Sequence, residues 1–302
     1  MPSSLHRGVI VPMVTPATAA GDVDLAAAAC IADRLAAHGL HIFVLGTTGE
    51  AASVAASQRL PLVQTTLQAA AGRVSVYVGI GDHCVAQSIE AGRAYLALGA
   101  TAVVALLPGY YALTPADMTA YFRRIHDGVG GPLMLYNIPV ATHHSIPLDV
   151  IAELADLPHV IGFKDSEGTA GRWEEAYQRF GDRPNFALLM GIAAKGTAAL
   201  RGGFDGVIPS GGNLMPAEWA AWWRHVEAGD WDAATALQQQ FDQVNAALQR
   251  GTTLGHALAG LKTGLAAQGM CSPAMLPPLS PYSDSVQAEV CAALRELQVD
   301  LG

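Results

Sequence analysis

Short apolar runs alternate with alanine-rich stretches along most of the chain. Eight apolar runs predict strands that are buried on both faces: Gly8–Pro16, His41–Thr48, Val74–Gly81, Ala102–Pro108, Leu133–Pro139, Val160–Ser166, Phe186–Ile192 and Gly206–Gly212. Helical patterns lie between them, at Leu25–His38, Val85–Leu98, Pro115–Asp127, Thr169–Phe180 and Pro216–Glu227. This alternation favours an α/β fold of the (β/α)8 TIM-barrel type over an open, doubly wound sheet.

The strand pattern ends at Gly229. Three further helices are predicted after it, at Asp230–Arg250, Thr252–Gln268 and Ser283–Leu297. We therefore expect a barrel over residues 1–229 and a C-terminal helical extension over residues 230–302, packed on the barrel.

Composition narrows the partners. Hydrophobic residues make up 51% of the chain and charged residues 14%, which requires a large core or subunit contacts. A net charge of −9 argues against nucleic acid or an anionic membrane as the partner, whereas a small anionic substrate stays compatible with it. No apolar window reaches the length of about 18 residues that a membrane span needs.

The chain is expected to be cytoplasmic. Pro12 and Pro16 come too early for a signal peptide at the N-terminus. The four cysteines are scattered without CxxC spacing, which is typical of free thiols in a reducing compartment. No metal or other cofactor is expected, because no HxH, HExxH or DxD pattern occurs where the strands end.

Lys164 is the most informative residue. The chain has three lysines against 14 arginines, and Lys164 ends an apolar strand, where it loses hydration. Such burial lowers the pKa of an amine, and a free amine is the nucleophile that forms Schiff bases with carbonyl substrates. A strand-end lysine that reaches solvent is the alternative.

Other polar residues also follow the predicted strands. Active sites of (β/α)8 barrels lie at the carboxyl ends of the strands. The side chains expected there, besides Lys164, are Thr47, Thr48, Glu50, Tyr136, Asn137 and Ser210. A hydroxyl pair, a phenol and an amine are thus predicted to converge on one rim. A tight strand–helix turn is the alternative role of the threonines.

Three segments carry a resemblance to a known family. They are Gly46-Thr47-Thr48-Gly49-Glu50, Tyr136-Asn137-Ile138-Pro139 and Gly162-Phe163-Lys164-Asp165-Ser166. With these segments in this order, residues Val11 to Lys262 resemble the dihydrodipicolinate synthase/N-acetylneuraminate lyase superfamily. That resemblance implies Schiff-base class I aldolases on a (β/α)8 barrel, assembled as a homotetramer, a dimer of dimers.

The resemblance also implies residue roles. Lys164 forms the imine with pyruvate, Tyr136 is the general acid and base, and Thr47 relays protons beside it. Thr47 and Thr48, with their backbone N–H groups, hold the carboxylate of the 2-keto acid, and Gly46 and Gly49 let that backbone approach closely. Tyr110 matches a tyrosine that reaches the site from a neighbouring subunit; Tyr111 is the alternative for that role, and an aromatic subunit contact is the alternative for both.

The positions that bind the second substrate differ from those of both dihydrodipicolinate synthases and sialic acid lyases. Ala141 stands where dihydrodipicolinate synthases have a carboxylate-binding arginine, and losing such a contact costs about 2–5 kcal/mol. Gly191 is followed by Ile192-Ala193-Ala194 rather than by the polar residues of sialic acid lyases. The expected pocket wall is apolar, with Ser210 and Thr142, His143 or His144 as candidate polar groups.

The sequence thus predicts a lyase that makes or breaks a carbon–carbon bond between pyruvate, or a related 2-keto acid, and an aldehyde. A 2-keto-3-deoxy sugar acid aldolase is one version. The alternatives are 4-hydroxy-tetrahydrodipicolinate synthase, a dehydratase that uses the same imine, and a non-catalytic 2-keto-acid-binding protein.

Overall fold

Eight parallel strands form a closed barrel in chain order, as the computed structural model shows for residues 6–301. The strands are β1 (Gly8–Pro12), β2 (His41–Val44), β3 (Val76–Gly79), β4 (Ala102–Leu106), β5 (Leu133–Asn137), β6 (Val160–Asp165), β7 (Ala187–Met190) and β8 (Gly206–Val207). The (β/α)8 prediction is confirmed. Residues 1–5 lie outside the described residues, and they include the start of the N-terminal segment that is not expected to be a signal peptide.

Twelve α-helices occur in the described residues. They are α1 (Leu25–Ala37), α2 (Ala56–Ala70), α3 (Val85–Ala97), α4 (Pro115–Val129), α5 (Pro139–Thr142), α6 (Leu148–Ala155), α7 (Arg172–Phe180), α8 (Gly196–Arg201), α9 (Pro216–Ala228), α10 (Trp231–Leu248), α11 (Leu254–Ala267) and α12 (Asp284–Glu296). The three helices predicted after Gly229 are present as α10 to α12. The domain boundary at residue 229 stays a prediction.

Internal contacts divide the chain into two compact units. The first unit consists of Met1–Ile10 and Ser75–Pro209, and the second of Val11–Val74 and Ser210–Gly302. In the first unit, strands β3 to β8 pair in parallel, and the start of β1 pairs with β8. Tyr136 and Lys164 are Cα partners in this ladder, so their side chains lie on the same face.

In the second unit, α9 packs against α10, and α11 packs against α12. Trp219 of α9 stacks on Phe241 of α10 with ring centroids 4.0 Å apart, so aromatic side chains fill this contact between the two helices. Asn213 joins this unit's two parts, because its Nδ2 donates to the Pro12 carbonyl oxygen at 2.9 Å.

Two strands are shorter than the hydrophobic runs predict. Strand β2 ends at Val44 rather than Thr48, because Leu45 takes a left-handed backbone with φ of 56°. Strand β8 ends at Val207, so Ser210 follows the strand instead of lying within it, as the predicted run Gly206–Gly212 had it. Ser210 instead begins a 3-10 helix, Ser210–Asn213, just after Pro209, which has no N–H for a strand ladder.

No helix in residues 6–301 is long and apolar enough to cross a membrane.

Candidate active site

Lys164 and Tyr136 form a buried pair at the ends of β6 and β5. Their relative exposures are 4% and 2%. The Lys164 Nζ lies 3.8 Å from the centroid of the Tyr136 ring, and the two side chains are hydrogen-bonded. The amine and the phenol are therefore held together by adjacent positions of a parallel ladder, as the sequence predicted for one rim.

The environment of Lys164 favours the free amine. Burial lowers the pKa of Lys164 below its ordinary value, and the nearby Tyr136 opposes this shift with a smaller effect. Burial disfavours the ammonium because it strips hydration from the charged form. The result is a lysine suited to nucleophilic attack on a carbonyl carbon.

Behind this pair lies a polar network centred on Asn137 and Asp165. These two residues are also Cα partners, one position further along the strands, so they point to the opposite face of the sheet. The Asn137 Nδ2 donates to Asp165 Oδ1 at 2.8 Å and to Glu167 Oε2 at 2.9 Å. The Asn137 Oδ1 accepts from the Ile146 backbone N–H at 3.0 Å. The network fixes both strand ends to the segments that follow them.

Arg172, in the first turn of α7, completes the network. Its Nε lies 2.7 Å from Asp165 Oδ2 and 3.3 Å from Glu167 Oε2, and its Nη2 donates to the Ile146 carbonyl oxygen at 2.8 Å. Its side chain is only 10% exposed. Arg172 is thus committed to two carboxylates of the protein and does not replace the arginine that is missing at Ala141.

The carboxylates of this network respond differently to burial. Burial raises the pKa of Asp165, although Arg172 and Asn137 oppose the increase. Burial acts in the same direction on Glu167, but hydrogen bonds from Ser145, Asn137 and Thr169 outweigh it and lower the pKa of Glu167. The sequence analysis did not predict this network. Its signal in the sequence is two acidic residues, Asp165 and Glu167, close after Lys164, with Arg172 seven residues after Asp165.

Gly191, just after β7, packs closely on the segment that follows Lys164. Its N–H donates to the Asp165 carbonyl oxygen at 2.7 Å. A Cβ at Gly191 would overlap with the Ser166 hydroxyl and lie 2.9 Å from the Asp165 carbonyl oxygen. Ile192 is half-buried, and its Cδ1 would be 3.6 Å from a Cβ at Gly168. The predicted apolar wall residue therefore lies beside the segment that follows Lys164.

The remaining predicted residues of the first unit lie in the segment after β4 and in and just after α5. Ala141 lies exposed in α5. His143 is exposed, whereas His144 is buried and its Nε2 is 2.9 Å from the Tyr111 carbonyl oxygen. Tyr110 and Tyr111 are 76% and 73% exposed, with their rings edge to face. Their proposed roles stay predictions.

The predicted residues of the second unit lie in the turn Gly46–Glu50. Thr47 and Thr48 are half-buried, and the Glu50 N–H donates to the Thr47 carbonyl oxygen at 3.1 Å. The Thr15 hydroxyl donates to the Gly49 carbonyl oxygen at 2.6 Å. Ser210 is half-buried, and its carbonyl oxygen accepts from the Asn213 Nδ2 at 2.9 Å.

Glu50 and Lys262 form an ion pair inside the second unit. The Lys262 Nζ lies 2.5 Å from Glu50 Oε1, with side-chain exposures of 1% and 0%. Lys262 belongs to α11, and its amine is buried against the carboxylate of the turn. Charge pairs between distant segments leave no local pattern in a sequence.

No group of three or more His, Cys, Asp or Glu side chains suited to a metal ion occurs in the part of the chain that the structure describes.

Known proteins resemble this chain over nearly its whole length. A family model described as the dihydrodipicolinate synthetase family matches residues 5–297. A 4-hydroxy-tetrahydrodipicolinate synthase of Phenylobacterium zucineum is 32% identical over 293 residues, which is 97% of each chain.

Two solved structures share the fold. Dihydrodipicolinate synthase of Bacteroides thetaiotaomicron has a TM-score of 0.91 and 28% identity, over 97% of this chain and 99% of that one. YagE, a prophage protein of the dihydrodipicolinic acid synthase family from E. coli K12, was solved in complex with pyruvate; it has a TM-score of 0.92 and 27% identity, over 98% of this chain and 100% of that one.

Proposed function

Because the chain belongs to the dihydrodipicolinate synthetase family, we propose that it joins pyruvate to an aldehyde, or cleaves the product, through a Schiff base on Lys164. Members of this family are lyases that use a lysine Schiff base with pyruvate. The observation that carries the proposal is the buried Lys164 amine, 3.8 Å from the Tyr136 ring and with a pKa lowered by burial.

In the first half of the proposed reaction, the Lys164 amine adds to C2 of the 2-keto acid and gives a carbinolamine. Tyr136 donates a proton to the carbinolamine hydroxyl, which leaves as water, and the nitrogen remains as a protonated imine. General acid help of this kind contributes roughly 10²–10⁴-fold. The hydrogen bond between the phenol and the Lys164 amine supports this role of Tyr136.

In the second half, the tyrosinate takes a proton from C3, which converts the imine to an enamine and restores the phenol. The enamine carbon then bonds to the aldehyde carbon, which restores the protonated imine, and the Tyr136 phenol gives its proton to the aldehyde oxygen. The resulting tyrosinate takes back a proton from the water that hydrolyses the imine, and this hydrolysis releases Lys164. Family resemblance supports Thr47 as the proton relay. It also supports Thr47 and Thr48 as ligands of the carboxylate, with Gly46 beside them, and a partner subunit's Tyr110 as a further catalytic group.

The acceptor is proposed to be an aldehyde that needs no carboxylate clamp. Ala141 supplies no charge, and Arg172 is already paired with Asp165 and Glu167. Ile192 and Gly191 offer an apolar edge, with Ser210 as a polar contact. A 2-keto-3-deoxy sugar acid aldolase is one version of this activity, and a dehydratase that uses the same imine is an alternative.

A second candidate is 4-hydroxy-tetrahydrodipicolinate synthase, which acts on aspartate semialdehyde. The name of the relative at 32% identity favours it. The exposed alanine at position 141 argues against it. A non-catalytic 2-keto-acid-binding protein is less favoured, because a binder has no use for a buried amine beside a phenol.

Borohydride trapping tests the mechanism. Wild-type protein is incubated with pyruvate and borohydride and then mapped by peptide mass spectrometry, with Lys164→Arg as the matched control. We expect a reduced pyruvyl adduct on the Lys164 peptide of the wild type and none on the variant. Absence of an adduct with pyruvate and with a panel of 2-keto acids would overturn the proposal.

The choice of acceptor is tested by pyruvate consumption with single aldehydes. We expect neutral aldehydes to be consumed faster than aspartate semialdehyde. The reverse order would favour the synthase.

The assembly and location are proposed on other grounds. Family resemblance supports a homotetramer, and the exposed Tyr110 and Tyr111 suit a subunit contact. The four cysteines are free thiols, which suits the cytoplasm. Light scattering of the purified protein tests the assembly.

A further inference from the structure

The buried ion pair between Glu50 and Lys262 is not explained by its contribution to stability. Both side chains are buried, at 0% and 1% exposure, with 2.5 Å between Oε1 and Nζ. Taking two charges out of water carries a desolvation cost, and well-packed apolar residues of similar volume stabilise a protein at least as well in many cases. A buried pair of this kind therefore calls for a role in fixing a particular conformation.

The pair ties the turn Gly46–Glu50 to the C-terminal part of the second unit. The Glu50 Oε2 accepts from the Leu276 backbone N–H at 2.8 Å, and the Lys262 Nζ donates to the Ala274 carbonyl oxygen at 2.8 Å. Each charged group thus holds both its partner and one backbone group of the segment at 274–276. An apolar pair would leave those two backbone groups without their partners.

The turn needs such support because its backbone is strained. Leu45, directly before the turn, and Glu50, its last residue, have left-handed φ values of 56° and 51°, although neither is glycine. Conformations of this kind persist only where the surrounding structure fixes them, and they cluster at functional sites. A Cβ at Gly49 would lie 2.9 Å from the Met13 carbonyl oxygen, so the turn also has no freedom to shift towards residue 13.

We propose that Glu50 and Lys262 are a positioning pair, which holds the turn so that Thr47 and Thr48 present their hydroxyl and N–H groups to the carboxylate of the 2-keto acid. The pair itself does not touch the substrate. This inference rests on the proposed function, because it assigns the pair to the carboxylate-binding step. It makes affinity for the 2-keto acid depend on α11, more than 200 residues further along the chain.

The test measures borohydride trapping by intact-protein mass at a series of pyruvate concentrations, together with the Tm. The variants are Lys262→Met, Glu50→Gln and the double variant E50Q/K262M. Arg34→Met is the matched control, because Arg34 of α1 donates from Nη1 to Gln268 Oε1, directly after α11, at 2.8 Å. Its other side-chain hydrogen bond goes to the Leu214 carbonyl oxygen and not to the turn.

For both single variants we expect the half-saturating pyruvate concentration to rise at least tenfold, while the trapping rate at saturating pyruvate changes less than threefold. The control R34M should lower the Tm and leave half-saturation unchanged. The double variant should recover most of the lost Tm, because it buries no unpaired charge and leaves only the Ala274 carbonyl oxygen without its donor, yet keep the raised half-saturation. That combination separates positioning from a merely structural contribution.

Wild-type half-saturation in the folded single variants, or in the double variant, would overturn the positioning role and leave the proposed function intact. If the single variants do not fold, the double variant decides the question. Absence of an adduct in the wild type would refute the proposed function itself, and the assigned role of the pair with it.

Discussion

Replacement of Arg172 by methionine leaves Asp165 buried without its cation. The Nε–Oδ2 distance is 2.7 Å, and the two side chains are 10% and 3% exposed. Removal of one partner of a buried pair costs about 3–5 kcal/mol, because the other charge stays buried. Asp165 keeps its hydrogen bonds from Asn137 and from the Glu167 N–H, so we expect the lower end, about 3 kcal/mol.

The expected change in Tm follows from the size of the chain. An unfolding entropy of about 2 cal/mol/K per residue gives roughly 0.6 kcal/mol/K for the whole protein. A loss of about 3 kcal/mol therefore lowers the Tm by roughly 5 °C. Thermal unfolding followed by circular dichroism measures this value for the wild type and for Arg172→Met.

The loss of stability in Arg172→Met should depend on pH. Burial raises the pKa of Asp165, and loss of Arg172 raises it further. A carboxyl group with a raised folded-state pKa favours folding fully at low pH and loses that contribution as pH rises through the folded-state value. We therefore expect the Tm difference between the wild type and R172M to be largest at pH 7–8 and to shrink on acidification towards about pH 4.

Two further variants control this experiment. Arg124→Met makes the same substitution at an exposed arginine and should leave the Tm nearly unchanged. The double variant D165N/R172M removes the unpaired charge and should recover most of the lost stability. The reasoning is refuted if R172M unfolds at the temperature of R124M, or if its deficit grows as pH falls.

Three other substitutions test the site around the amine. Lys164→Met should raise the Tm at pH 7, because burial lowers the pKa of Lys164; the gain should shrink as pH rises towards about 10.4, and a gain that grows with pH would contradict this reasoning. Tyr136→Phe should slow the borohydride-trapping rate with pyruvate by roughly 10²-fold or more, and an unchanged rate would exclude the phenol as the acid. Gly191→Ala should destabilise the protein by about 1–3 kcal/mol in thermal unfolding, because its Cβ meets the Ser166 hydroxyl. In the background of Ser166→Gly that cost should fall, and an equal cost in both backgrounds would exclude the contact.

The sequence by itself determined the barrel and the central pair of the site. Runs such as Val160–Ser166 are apolar because parallel strands are buried on both faces, and this local pattern survives in the order of residues. The predicted helices Val85–Leu98 and Pro216–Glu227 each agree with the observed bounds to within one residue at either end. Lys164 was recognisable because a lysine that ends a buried strand is costly unless it is used.

Strand ends were less predictable, because local backbone geometry decides them. Leu45 leaves the extended region although it continues the apolar run, and Pro209 has no N–H to continue the ladder of β8. Neither event changes the hydrophobic pattern. Ser210 therefore lies beyond the observed strand β8, whereas Lys164 lies within β6 as predicted.

Only the tertiary structure decided how the remaining charges are used. Arg172 lies only seven residues after Asp165, yet its ion pairs with Asp165 and Glu167 depend on where the chain places the start of α7 relative to the end of β6. The partner of Lys262 is further still, since Glu50 belongs to a turn near the start of the second unit. Hydrophobic patterning records which face of an element is buried, whereas the pairing of two buried charges depends on where folding brings distant segments together, and no local spacing encodes it.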